Sequence, residues 1–135
     1  MANDALQIAA AGMQVQRERM RVIAENIANA DSTATTPGAD PYRRKTVTFQ
    51  NVLDRETGVD TVKVGKRGYD MTSFIKKYDP SHPAADAQGY VMYPNVNPII
   101  EMTDMRDARF AYEANINVVE ISKSIMNQTL ALLNK

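Results

Sequence analysis

From Asn97 to Lys135 the apolar residues recur at steps of three and four. One row is Met105, Ala108, Tyr112, Val119, Met126 and Leu133; beside it runs Ala111, Ala114, Val118, Ile121, Ile125 and Leu132. Glu113, Asn117, Glu120, Ser124, Asn127 and Asn134 take the opposite side. This spacing predicts one long α-helix with a broad apolar stripe. No Gly or Pro follows Pro98, so the helix has room to run for roughly 50 Å at its 1.5 Å rise per residue. The beginning of the chain repeats the pattern with Leu6, Ala9, Met13, Met20, Ile23 and Ile27, flanked by Ile8, Val15 and Val22 and interrupted by Gln16. It predicts a second helix over residues 4–29, with Asn3 or Asp4 capping its first turn. Gly12 either costs about 1 kcal/mol relative to Ala or permits close approach of another backbone.

The middle has a different character. All six prolines, at 37, 41, 80, 83, 94 and 98, and five of the six glycines fall between Asp31 and Pro98. Helix-breaking residues are thus confined to the centre. Residues 32–40 read as a loop and 42–49 as a strand. Val59–Val64 and Met71–Tyr78 read as a hairpin around Gly65-Lys66-Arg67-Gly68, and 89–93 as a short strand. The expected architecture is mainly α. Two long terminal helices pair as a coiled-coil-like hairpin, and an irregular, β-containing insert separates them. The segments are 1–31 and 97–135 for the paired-helix core and 32–96 for the insert. Each apolar stripe is wider than a seam that one partner helix covers, so an isolated hairpin would leave apolar surface wet. That points to assembly with other chains.

Composition removes several classes of function. Acidic and basic residues balance at sixteen each, so no global field argues for nucleic acid or a membrane surface. There is no Cys, which excludes disulfides and thiolate metal sites. No run of about 18 uncharged apolar residues is present to span a bilayer. The first twenty residues carry Asp4 and no basic region ahead of their apolar part, so no cleaved secretory signal is expected. The lone His82, with Asp79 and Asp86 nearby, is the one candidate for metal or acid–base chemistry. Metal sites want three or four convergent ligands, and the neighbouring Pro80 and Pro83 spread these side chains instead. No Gly-x-Ser-x-Gly elbow, Walker loop or dinucleotide fingerprint occurs. A helix lying in a bilayer interface is a further alternative, but the polar faces mix Glu, Asn and Lys instead of concentrating cations. No cofactor is expected.

Asn26 and Asn29 stand three apart near the end of the first helix, on one face. They read as a helix stop, as amides that satisfy a neighbouring helix end or subunit, or as both. The stretch from Ile23 to Thr33 around Asn26-Ile27-Ala28-Asn29, then Pro41-Tyr42-Arg43-Arg44-Lys45, the block Tyr78 to Val91, Pro94-Asn95-Val96-Asn97 and Glu101 to Met105 together resemble the bacterial flagellar basal-body rod protein family. The short length, the Asp79-Pro80-Ser81-His82-Pro83 block and the lack of a large inserted domain resemble its proximal-rod type. The resemblance implies a structural subunit and not an enzyme, exported by the flagellar type III apparatus and polymerised helically in the periplasm into the shaft that carries torque. It implies as partners further copies of itself, the other proximal and distal rod subunits, the adaptor that joins rod to membrane ring, and the surrounding rings. It implies no nucleic acid and no small-molecule substrate. The implied assembly signature is Asn26, Ile27, Ala28 and Asn29. Helix packing and subunit contact would fall to Leu6, Met13, Met20, Ile23 and Ile27 in the first helix. In the second they would fall to Met105, Tyr112, Val118, Val119, Ile121, Ile125, Met126, Leu132 and Leu133. Contacts of the linking segment would fall to Tyr42, Arg43, Arg44, Asp79, Pro80, His82, Pro83 and Tyr90.

Overall fold

The computed structural model describes residues 2–135; Met1, the first residue of the expected segment 1–31, lies outside them. Helix α1 runs Ala2–Ala28 and helix α2 runs Pro98–Leu133. Between them lie β1 (Lys45–Leu53), β2 (Asp60–Tyr69), β3 (Ile75–Tyr78) and β4 (Tyr90–Tyr93). The strands form two separate two-stranded sheets, β1 with β2 and β3 with β4. A mainly helical chain with a β-containing middle is what the periodicity predicts.

Local chemistry sets the helix ends. The Asn29 backbone N–H and its side-chain Nδ2 both donate to the Glu25 carbonyl, at 3.1 and 2.9 Å, and Ser32 Oγ donates to Asn29 Oδ1. These bonds serve a carbonyl that a helix C-terminus leaves without an intrahelical partner. At the start of α2, Asn97 Oδ1 accepts the Ile99 N–H at 3.1 Å. Pro98 occupies the first turn, where its missing N–H costs nothing.

The hairpin differs from the expected one. Gly65-Lys66-Arg67-Gly68 is no turn: it lies inside β2. A Cβ at Gly65 would stand 2.8 Å from Gln50 Cγ and 3.0 Å from Thr48 Oγ1, so this glycine marks a close cross-strand approach. The reversal comes earlier, at Asp54–Val59. There Asp54 Oδ1 accepts the Glu56 N–H at 2.9 Å and Gly58 adopts φ 70°. An Asx turn followed by a left-handed Gly supplies the reversal that the paired glycines of β2 mimic in sequence. The partner of β3 is likewise β4, antiparallel, with Ile75 opposite Tyr93 and Tyr78 opposite Tyr90.

The chain forms two compact units. One comprises residues up to Met20, Thr48–Lys66 and Arg106–Lys135; the other comprises Arg21–Val47 and Arg67–Met105. In the first, Ala9, Val15, Ala108 and Ser122 are buried. Gly12 of α1 faces Asn115 of α2 so closely that a Cβ would lie 2.8 Å from Asn115 Nδ2. Gly12 thus makes room for a side chain, that of Asn115, and not for the neighbouring backbone that the sequence suggested. The hairpin tip meets α1 where Gln7 Nε2 donates to Asp54 Oδ2 at 2.7 Å. In the second unit, Val22, Ile23, Val91 and Val96 are buried, and so are the polar Asn26 and Glu101.

Candidate functional site

Two features stand out, one in each unit. The first is polar. Asn26 is 1% exposed, and such a group must be hydrogen-bonded or pay for its desolvation. Its Oδ1 accepts the Lys45 backbone N–H at 2.9 Å and the Tyr42 hydroxyl at 2.8 Å. Its Nδ2 donates to the Lys45 carbonyl at 2.9 Å and reaches Glu101 Oε2 at 3.5 Å, the outer limit of a hydrogen bond. Glu101, also 1% exposed, takes the Arg44 Nε on its other oxygen. Arg44 also lies 3.6 Å from Asp70 and 3.9 Å from Asp104. Burial opposes the Arg44 charge, but the bond and field of Glu101, with Asp70 and Asp104 behind them, raise its pKa further above its ordinary value. Burial likewise raises the pKa of Tyr42, so its hydroxyl stays protonated and able to donate.

The same node reaches into the strands. Asn95 Oδ1 accepts the Arg44 N–H at 2.8 Å, and its Nδ2 donates to the Asp70 and Thr72 carbonyls. Arg43 donates to the same two carbonyls and lies 4.1 Å from the centre of the Phe74 ring. Lys45 Nζ pairs with Glu25 at 3.0 Å, and that bond raises its pKa. The sequence singles out Asn26, Tyr42, Arg43 and Arg44 but assigns no role to Glu101 or Asn95. An acidic residue set between Ile100 and Met102 at the start of a helix is a signal for Glu101. It is also an ordinary helix-dipole pattern, and only the fold separates the two.

The candidates around His82 take up turn chemistry. His82 Nδ1 accepts the Ala84 N–H at 3.0 Å and Nε2 lies 3.1 Å from Thr33 Oγ1. Asp79 Oδ1 accepts the Ser81 hydroxyl, and Asp86 Oδ1 accepts the N–H groups of Gln88 and Tyr90. Among the described residues no three His, Cys, Asp or Glu stand together as a metal-holding group. Pro80, Pro83 and Tyr90 are exposed, with Tyr90 edge-on to Tyr78 at 5.4 Å.

The second feature is apolar and open. Of the expected packing residues in α1, Ile23 is buried and Leu6, Met13, Met20 and Ile27 are half-buried. In α2, Met105, Tyr112, Val119 and Met126 are half-buried. Val118, Ile121, Ile125, Leu132 and Leu133 are exposed, Ile121 at 60% and Leu133 at 77%. From Asn127 onward every residue of α2 is exposed. In the signature, Ala28 is exposed and Asn29 half-buried. No helix among the described residues is long and apolar enough to cross a membrane.

Comparison with known proteins gives the chain's relatives. Residues 6–34 match the family described as flagella basal body rod protein, and residues 87–132 match the flagellar basal body rod FlgEFG protein C-terminal family. The flagellar basal-body rod protein FlgC of Agrobacterium fabrum is 53% identical over 96% of this chain and 93% of its own length. FlgC of Salmonella typhimurium is 42% identical over 93% of this chain and 92% of its own. FlgC of Borreliella burgdorferi is 39% identical over 95% of each.

Proposed function

The chain belongs to the flagellar basal-body rod protein family, and from that premise we propose that it is a building block of the proximal rod, polymerising helically into the shaft that carries torque from the motor to the hook and filament. It is a structural rod subunit of the basal body. In this reading segments 1–31 and 97–135 form the wall of the shaft, and 32–96 links neighbours. Its partners are further copies of itself, the other rod subunits, the ring adaptor and the rings around the rod. It reaches the periplasm through the flagellar export apparatus.

One observation carries this reading. Within a single unit, α2 keeps a row of large aliphatic side chains in water, from Val118 through Ile121 and Ile125 to Leu133, 40% to 77% exposed. A contiguous apolar face of this kind marks a surface that another protein covers. Burying it removes roughly 25 cal/mol of unfavourable hydration for each Å². Packed aliphatic interfaces resist sliding, because displacing a large side chain costs several kcal/mol.

Replacing Ile125 by Asp tests the proposal. The variant chain is expected to be exported normally, to be missing from purified basal bodies and to leave cells non-motile. Normal rods containing the Asp variant would overturn it.

A further inference from the structure

The Asn26 amide does more than end a helix. Its Oδ1 and Nδ2 take the N–H and the carbonyl of a single residue, Lys45, each at 2.9 Å. That reciprocal pair of bonds is the one two facing residues exchange in an antiparallel ladder. Lys45 opens β1, and on the opposite edge the Asp70 N–H donates to the Arg44 carbonyl at 2.9 Å. A helix side chain thus serves as a third strand on the free edge of the hairpin. Tyr42 and Glu101 complete its shell, and these come from the linking segment and from α2.

We propose that Asn26 is the positioning residue that makes the docking of α1 on α2 and the seating of the linking segment one cooperative event. The spot requires an acceptor toward Lys45 N–H and Tyr42, and a donor toward the Lys45 carbonyl and Glu101. Of side chains this short, only Asn places a two-fold acceptor and a two-hydrogen donor on separate atoms. Asp presents an acceptor where a donor is needed and sets a second carboxylate against Glu101. Ala leaves the Lys45 groups and the Tyr42 hydroxyl without their partner. The significance for rod building rests on the function proposed above; the coupling itself belongs to the isolated chain.

Hydrogen exchange of the purified full chain, read at single amides, tests it. In Asn26→Ala the Lys45 amide is expected to exchange at least about tenfold faster, the loss of one or more buried hydrogen bonds. The Arg44 and Asp70 amides, bonded to Asn95 and to Arg44 and not to Asn26, are expected to accelerate with it. Acceleration of Lys45 alone would show a local bond and overturn the coupling; so would unchanged exchange at all three. Asn26→Asp is expected to act more strongly, and adding Glu101→Gln, which supplies a donor and removes the second charge, is expected to restore part of the protection. Tyr42→Phe removes one bond and leaves the reciprocal pair, so it remains readable if the Asn26 variants do not fold; the same three amides are expected to move together by a smaller factor. None of these readings requires a rod, so a failure of the coupling and a failure of the assembly role appear in different experiments.

Discussion

The two compact units solve the problem of buried chemistry in opposite ways. In the unit of Arg21–Val47 and Arg67–Met105, polar groups are taken out of water and given partners from the same chain. Asn26, Glu101, Arg44, Tyr42 and Asn95 close on one another. In the unit holding the start of α1 and most of α2, Gln16 Oε1 is buried without a hydrogen-bond partner among the described residues, and large apolar groups are left in water. Ile121, Ile125, Leu130, Leu132 and Leu133 are each more than half exposed. Apolar side chains are exposed in the first of these units too, Met71 at 79% and Ile99 at 76%, but it alone closes a network of buried polar partners among the described residues, while the long helical row of exposed aliphatic residues lies in the other. On the proposed function, folding and assembly draw on different residues of the same helices.

Substitutions of similar severity are expected to separate the two roles. Arg44→Ala leaves the Glu101 carboxylate buried without its cation, and the chain is expected to lose about 3 kcal/mol or more in urea unfolding. Ile121→Asp, on an exposed position of the other unit, is expected to change that free energy by less than about 0.5 kcal/mol while abolishing incorporation into basal bodies. Equal effects of the two on unfolding would erase the distinction.

A smaller effect sharpens the comparison inside the open unit. Gly12→Leu drives a side chain into Asn115 where even a Cβ would stand 2.8 Å away. A destabilisation of about 2 kcal/mol is expected from such overpacking. Asn115→Ala in the same chain is expected to return most of it, and an additive pair would place the cost elsewhere.

The smallest effect is acid sensitivity. The Thr72 backbone N–H, helped by Arg44 and Arg43, holds the Asp70 carboxyl below its ordinary pKa; the Glu56 N–H and Gln7 do the same for Asp54. A depressed folded pKa means stability that is present above the unfolded value near 4 and lost as pH falls through the folded one. Unfolding free energy is therefore expected to hold steady above about pH 5 and to decline below about pH 4. Asp70→Asn and Asp54→Asn each flatten part of that decline, as urea titrations at stepped pH will register.

The helices were legible in the sequence because a three-and-four period leaves a mark on every turn. The exposed row from Val118 to Leu133 was legible for the same reason: width of stripe can be read without coordinates. The hairpin was not. Gly65 and Gly68 carry a turn signal, but at Gly65 the absence of a side chain lets Thr48 and Gln50 come close, and only pairing distinguishes the two uses. The buried node was half legible. Asn26 is marked as unusual for a helix interior, whereas Glu101 and Asn95 gain their roles from partners up to 75 residues away, which no local pattern encodes.

The bare end of α2 makes the subunit's stability a property of its surroundings. Asn127 to Leu133 is helical with every residue exposed, so a growing polymer end acts on this segment as a ligand acts on a receptor. By mass action the stabilisation grows with the logarithm of free subunit concentration over the dissociation constant. On the proposed function, a subunit at a crowded tip is therefore expected to hold this last stretch more firmly than a dilute one.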